Sequence, residues 1–263
     1  MTEPAAVEIG DLPKQREPRT RRALVVVPAY NEAQSIAAVL AEIRAALPGV
    51  DLVVVDDGSD DGTAEVCRRE GADCLVLPFN LGVGGAMRAG FRYARDRGFQ
   101  VVVQIDGDGQ HDPAFAPALI AELEHGADVV VGSRFAGYGT YRVSWSRRVA
   151  MRLVSGLLSR ACRARLTDAT SGFRAAGELA IDLFTETYPA EYLGDTLQSL
   201  IVANRAGLVI RELPVDMRAR SAGRPSQGVA SSLRYLARSG FLIVIGEQTR
   251  PEREWRRIRS SRT

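Results

Sequence analysis

The feature that most constrains this chain is a regular alternation, from Ala23 onward, of short apolar runs with amphipathic segments. Apolar runs bounded by turn residues predict strands, and apolar residues at helical spacing predict helices. The predicted strands are Ala23–Val27, Leu52–Val55, Cys74–Leu77, Val101–Ile105 and Val129–Gly132. The predicted helices between them are Glu32–Leu47, Gly62–Glu70, Gly82–Arg97 and Pro113–Glu124. This order predicts an α/β fold, with a mostly parallel central sheet and helices on both faces of a single domain.

The second half of the chain is less regular. A polar turn at Thr167–Arg174 leads into a short strand, and a helix near Gly194–Arg205 and a strand near Val209–Val215 follow. We predict a flexible, Pro-rich and charged tail at 1–22, one domain at 23–228, an apolar helix at 229–248 and an Arg-rich tail at 249–263. The apolar run of the terminal helix is shorter than the roughly 20 residues that span a bilayer, so this helix is expected to pack in the core or to lie on a membrane surface.

Composition excludes several classes of function. The net charge of +2 is far from the strongly basic balance of a nucleic-acid-binding domain, so no nucleic-acid partner is expected. Two histidines argue against a zinc site or a Ser-His-Asp triad. Three cysteines, without the spacing of metal ligands, are typical of free thiols in a reducing compartment. The first residues contain no apolar segment of the kind that directs export, so a cytoplasmic protein is expected.

Two carboxylates, Asp106 and Asp108, follow directly after the predicted strand Val101–Ile105. Alternate residues of an extended chain point to the same side, so both side chains can face one ligand. Mg²⁺ prefers one or two carboxylates together with the phosphates of a substrate. An Asp-Gly-Asp sequence is also ordinary turn chemistry, and this simpler interpretation stays open when the motif is taken alone.

The other predicted strands also end in polar or glycine-rich segments. In a parallel sheet, ligands bind outside the carboxyl ends of the strands. The five segments are 28–32, 56–59, 80–85, 106–108 and 132–134. Because five such ends would meet at one edge of the sheet, a nucleotide site is a better interpretation than five unrelated turns.

Taken in order, these motifs resemble those of the family 2 glycosyltransferases of GT-A (Rossmann-like) fold, and within them the dolichyl- and polyprenyl-phosphate mannose synthases. The resemblance covers about Ala23 to Gly228. The matching stretches are Val26–Glu32, Val54–Ser59, Asn80–Gly82, Asp106–His111, Gly132–Arg134 and Thr170–Arg174.

The resemblance implies a role for each matching position. The residues that would line the pocket for the base and ribose are Pro28, Tyr30, Glu32, Val55 and Asp57. The side chains of Asp106, Asp108 and Gln110, with Gly107 between the two carboxylates, would hold Mg²⁺ or Mn²⁺ against the diphosphate. Arg134 and Arg220 would contact phosphate oxygens. His111 is expected to be a loop residue beside the metal rather than a ligand, because the oxygens that Mg²⁺ prefers are already supplied.

The activity implied is metal-dependent, inverting transfer of a sugar from a nucleoside-diphosphate sugar, either GDP-mannose-like or a UDP-sugar, to a polyprenyl phosphate. Asp108 and Arg134 would act at the reacting centre. A phosphate acceptor is already anionic, so it needs no strong general base. An alternative is a hydroxyl acceptor on a cell-envelope glycan or small molecule, with Asp195 as the base, although the helix dipole explains an acid at that position equally well.

A second alternative is a membrane-peripheral component that binds sugar nucleotides without turnover. A lipid acceptor would place the protein in the cytoplasm, peripheral at the inner face of the plasma membrane. A small membrane-embedded protein is then a possible partner that would anchor it or move the product.

Overall fold

The computed structural model describes residues 21–135, 156, 159, 166–189 and 195–218. These residues form one seven-stranded sheet with helices on both faces, which confirms the predicted α/β fold. The strands are β1 (Ala23–Ala29), β2 (Asp51–Asp56), β3 (Asp73–Val76), β4 (Val101–Gln104), β5 (Val129–Ser133), β6 (Arg174–Gly177) and β7 (Ile210–Pro214). All five strands predicted in the first half are present, with ends that differ by no more than two residues from the prediction.

The helices follow the predicted segments, with later starts at α1 and α4. They are α1 (Ile36–Ala46), α2 (Thr63–Arg69), α3 (Gly82–Asp96), α4 (Ala116–Glu124), α5 (Glu178–Thr187) and α6 (Asp195–Arg205). A single 3-10 turn at Pro113–Phe115 precedes α4, and the Asp112 side chain caps it by accepting a hydrogen bond from the Ala114 N–H at 3.1 Å. In the part of the chain described, no helix combines the length and apolar character needed to cross a membrane.

The strand order is β3-β2-β1-β4-β6-β5-β7. Strand β1 pairs in parallel with β2 and β4, and β2 pairs in parallel with β3. Strand β5 pairs in parallel with β7. Strand β6 lies between β4 and β5 and is antiparallel to both. Its first residue, Arg174, therefore pairs with Gln104 at the end of β4, so the residues that precede β6 reach the edge of the sheet where the parallel strands end.

The core lies on both faces of the sheet because successive strand residues point to opposite sides. On one face Val26, Val55 and Val102 pack with Met87 and Phe91 of α3. On the other face Val27, Val54 and Val103 pack with residues of α1 and α4. Burial on both faces explains why the strands are continuous apolar runs rather than alternating ones.

Several predicted features lie outside the described residues: most of the 1–22 tail, the terminal helix at 229–248, the Arg-rich tail and Arg220. Arg22, the last residue of the predicted tail, is described and contacts the domain. Its guanidinium lies 3.1 Å from the Asp51 carboxylate and 4.3 Å from the centre of the Phe99 ring.

Candidate active site

The loops after β1 and β2 are tied together by side-chain hydrogen bonds. The Asn31 N–H donates to Ser59 Oγ at 2.9 Å, and the Asn31 side-chain oxygen accepts from the Asp60 N–H at 3.1 Å. Ser59 in turn donates to the buried carboxylate of Asp56. Asn31 adopts a φ of 57°, a left-handed conformation that Asn tolerates better than most residues. This network holds Tyr30 at the edge of the sheet with 43% of its surface exposed, where the ring is open to a ligand.

Asp57 follows β2, and its side chain lies against the N-terminus of α3. Its side chain is buried, and Oδ1 accepts a hydrogen bond from the Leu81 N–H at 2.8 Å. Burial raises the pKa of this carboxyl, although the N–H groups of Leu81 and Gly82 oppose the shift. A carboxylate held by a helix N-terminus is rigidly placed, which suits a group that selects one ligand edge.

Three other residues predicted for the base and ribose pocket are also buried. Ser35 Oγ lies 2.8 Å from both Glu32 Oε2 and the Gly107 carbonyl oxygen, so it connects the loops that follow β1 and β4. The Pro28 carbonyl oxygen accepts from the Gly107 N–H at 3.2 Å. The Val55 side chain lies wholly in the core beneath α3, so only its backbone could meet a nucleotide.

Asp106 and Asp108 lie in a tight turn directly after β4. Asp106 Oδ1 accepts from the Gln104 side-chain amide at 2.9 Å, and the side chain is 31% exposed. Asp108 Oδ1 accepts from the Gln110 N–H at 2.9 Å. Gly109 has a φ of 75°, which lets the chain turn back. Both carboxylates are partly exposed at the edge of the sheet.

His111 is buried beside Asp106. Its Nδ1 accepts a hydrogen bond from the Asp106 N–H at 3.0 Å, and its ring stacks on Phe173 with 5.0 Å between the ring centres. His111 therefore orients the Asp106 backbone through Nδ1, and its Nε2 lies 3.6 Å from Asp106 Oδ2.

The donors at this turn fit a hard divalent cation. Among the described residues, no group of three or more His, Cys, Asp or Glu side chains could hold a metal ion by itself. Two carboxylates with space for substrate oxygens and water are nevertheless the donor set that Mg²⁺ uses in phosphate sites. The site also leaves room for such a ligand, because the residue facing the Asp106 carboxylate is Gly172. A Cβ atom there would lie 3.0 Å from Asp106 Oδ2.

Arg134, which the sequence predicts to contact phosphate, forms an ion pair with Asp168 through two of its guanidinium nitrogens. Its Nε and Nη2 donate to the two carboxylate oxygens of Asp168 at 2.5 and 2.7 Å, and Nη2 also lies 2.8 Å from Thr170 Oγ1. Only 12% of the Arg134 side chain is exposed, and the Asp168 side chain is fully buried. A phosphate contact from Nε or Nη2 would require this two-pronged ion pair to open.

Asp168 and Glu212 are among the polar residues that the sequence did not assign to the site, as are Gln104 and Ser35. Glu212 accepts hydrogen bonds from the N–H groups of Thr167 and Asp168 at 2.8 and 2.7 Å. The polar run Thr167–Arg174 was the only signal, because the partners of Asp168 lie 34 and 44 residues away. Asp195 is the first residue of α6, a position at which the helix dipole favours an acid. Its side chain is outside the part of the structure that is described.

Comparisons with known proteins show which family of proteins the chain matches. The model of "Glycosyl transferase family 2" matches residues 24–177. The chain is 35% identical over 218 residues to the undecaprenyl-phosphate mannosyltransferase of Micrococcus luteus, covering 77% of this chain and 86% of that protein. It is also 35% identical over 164 residues to the polyprenol monophosphomannose synthase of Mycolicibacterium smegmatis, covering 59% and 62% of the two chains.

A solved structure with the same fold is that of glucosyl-3-phosphoglycerate synthase from Mycobacterium tuberculosis with Mn²⁺, UDP-glucose and phosphoglyceric acid. It superposes with a TM-score of 0.64 at 28% identity, over 86% of this chain and 79% of that one.

Proposed function

Because the chain belongs to glycosyltransferase family 2, we propose that it moves a sugar from a nucleoside-diphosphate sugar to a polyprenyl phosphate, with Mg²⁺ or Mn²⁺ as cofactor. The observation that carries the proposal is the pair Asp106 and Asp108, partly exposed at the end of β4 on the edge of the sheet that also presents Tyr30. The similarity to two enzymes named for polyprenyl-type acceptors supports the choice of acceptor.

The donor would lie along the edge formed by the ends of β1, β2 and β4. The exposed ring of Tyr30 offers a stacking surface for a base, and Asp57 offers a fixed acceptor for base or ribose donors. Asp106 and Asp108, with Gln110 beside them, would hold the divalent cation. Bound there, the cation would neutralise the charge that develops on the leaving diphosphate.

The acceptor phosphate would attack the anomeric carbon on the side opposite the diphosphate, which inverts the configuration. Because that phosphate is already ionised at neutral pH, this chain need not supply a strong base. Since the acceptor is a membrane lipid, the proposed place of action is the inner face of the plasma membrane, with a small membrane-embedded protein as partner.

A second candidate is transfer to a small phosphorylated acceptor. The fold similarity to a synthase crystallised with phosphoglyceric acid favours it. Attack by a hydroxyl group would require proton removal, and Asp195 is the candidate base.

A thermal-shift experiment tests the donor and metal sites. GDP- and UDP-sugars are added with and without Mn²⁺ to the wild type, to Asp108→Ala and to the control Asp96→Ala. Asp96 is an exposed acid at the opposite end of α3. Ligand binding raises the stability of the native state, so one nucleotide should give a Mn²⁺-dependent shift in the wild type and the control. An Asp108→Ala protein that keeps the full shift would contradict the metal site.

Radiolabelled donor and bacterial membranes test the acceptor. The proposed reaction yields an organic-extractable product from which mild acid releases free sugar. Asp195→Asn should then lower turnover by far less than the roughly 10²–10⁴-fold expected for loss of a general base. Label found only in water-soluble products, with loss of activity in Asp195→Asn, would favour the second candidate.

A further inference from the structure

The loop at 167–173 lies against the metal-site carboxylate because β6, which it precedes, is antiparallel to β4. Gly172 of this loop faces Asp106. A Cβ atom at Gly172 would lie 3.0 Å from Asp106 Oδ2 and 3.1 Å from Gln104 Nε2. These distances are tighter than normal for such a contact, so any side chain at this position would displace the carboxylate by a few tenths of an ångström. The observed position of the Asp106 carboxylate therefore depends on the absence of a side chain at position 172.

Other contacts hold Asp106 from further directions. The Gln104 amide donates to Oδ1 at 2.9 Å, and His111 accepts from the Asp106 N–H at 3.0 Å. The His111 ring stacks on Phe173, the neighbour of Gly172. The loop at 167–173 is thus connected to Asp106 through the imidazole ring, and at Gly172 it has no side chain that would press on the carboxylate.

The same loop is held firmly by residues from three strands. Arg134, at the end of β5, pairs with Asp168, and Glu212 of β7 binds the N–H groups of Thr167 and Asp168. Arg174 of β6 donates to the carbonyl oxygens of Ser171 and Ala169 at 2.8 and 3.0 Å. All of these bonds hold in place a loop whose Gly172 faces the Asp106 carboxylate.

We propose that the 167–173 loop is a positioning element that fixes the Asp106 carboxylate for divalent-cation binding. Phe173 supports it through His111, Gly172 leaves the carboxylate its place by lacking a side chain, and Asp168 is the anchor of the loop. The inference rests on the proposed function, because it concerns the same metal site. Residues that contact a metal ligand without binding the metal orient that ligand, and their loss typically weakens metal binding about 10- to 100-fold.

The direct test is Gly172→Ala, with Gly177→Ala as the matched control. Gly177 is the last residue of β6, whereas Gly172 lies just before this strand. A Cβ atom at Gly177 would meet its nearest neighbour at an ordinary 3.6 Å. Mn²⁺ binding is measured by electron paramagnetic resonance of the free ion, with Mn²⁺ alone and with GDP or UDP, and urea unfolding of the metal-free proteins is measured alongside. We expect Gly172→Ala to weaken Mn²⁺ binding about 10- to 100-fold while the control stays within about twofold of the wild type.

Asp168→Asn tests the anchor at a distance from the metal. It should weaken Mn²⁺ binding by the folded protein in addition to lowering stability, whereas a merely structural residue would change stability alone. Wild-type Mn²⁺ affinity in Gly172→Ala, or in folded Asp168→Asn, would overturn the positioning role. A wild-type protein that binds no Mn²⁺ with either nucleotide would refute the proposed function, and this inference with it.

Discussion

Replacing Asp168 by Asn should destabilise the domain strongly, because the change leaves a buried guanidinium without its counter-ion. The Asp168 side chain is fully buried and that of Arg134 is 12% exposed. Breaking a buried ion pair by removing one partner costs about 3–5 kcal/mol. Arg134 keeps its contact with Thr170 Oγ1, so we expect a loss near the lower end, about 3 kcal/mol.

Urea unfolding followed by circular dichroism measures this loss. For a domain of this size the free energy of unfolding falls by about 3 kcal/mol for each molar of urea, so the midpoint of Asp168→Asn should fall by about 1 M. The double variant Arg134→Met with Asp168→Leu removes both charges. It should unfold closer to the wild type than Asp168→Asn does, because no unpaired charge remains.

The pH dependence gives an independent check. Burial by itself would raise the pKa of Asp168, but hydrogen bonds and charge attraction from Arg134 outweigh it, so the pKa is lowered. An acid with a lowered pKa in the folded state stabilises the protein above its unfolded pKa, near 3.9, and this stabilisation is lost as the pH falls through the folded pKa. The difference between wild type and Asp168→Asn should therefore be constant from about pH 5 to 8 and shrink below about pH 4. A midpoint shift under about 0.3 M at pH 7, or a difference that does not shrink in acid, would refute this account of the pair.

Two further substitutions test the loop after β2. Gly58→Ala should cost more than about 2 kcal/mol in urea unfolding, because Gly58 has a φ of +75° and a Cβ atom there would lie 2.8 Å from the Phe79 backbone carbon. Gly49→Ala is the control, because Gly49 has a similar φ of +76° and a Cβ atom there would meet no atom within 4 Å. It should lower the free energy of unfolding by the conformational cost alone, about 1 kcal/mol. Equal losses of stability in the two variants would show that the close contact at Gly58 is unimportant. Asp57→Asn should match the wild type in stability at a pH below the unfolded pKa and exceed it at neutral pH, because the raised pKa means that ionising this buried carboxyl opposes folding. Nucleotide binding should weaken in the same variant, and a stability difference that is independent of pH would contradict the role of ionisation.

The sequence by itself determined most of the secondary structure and the sheet edge at which the polar strand ends of the candidate site meet. Strands such as Val101–Gln104 are continuous apolar runs closed by turn residues, and that pattern lies within a few neighbouring positions. The prediction was less accurate where distant groups intervene. The first helix was expected from Glu32 but begins at Ile36, because Asp61 and Thr63 bind the N–H groups of Ala33 and Glu32 and hold this stretch in a turn.

Only the tertiary structure decided which side chains surround the carboxylates. The insertion of β6 between β4 and β5 brings Gly172 to Asp106 and pairs Asp168 with Arg134. The sequence of β6, an arginine followed by three small residues, does not indicate which strands lie beside it or whether it runs parallel to them. Helical and strand periodicity arises within a short window, whereas strand order follows from how both faces of the whole sheet are buried, so the partner of Arg134 could be known only from the folded chain.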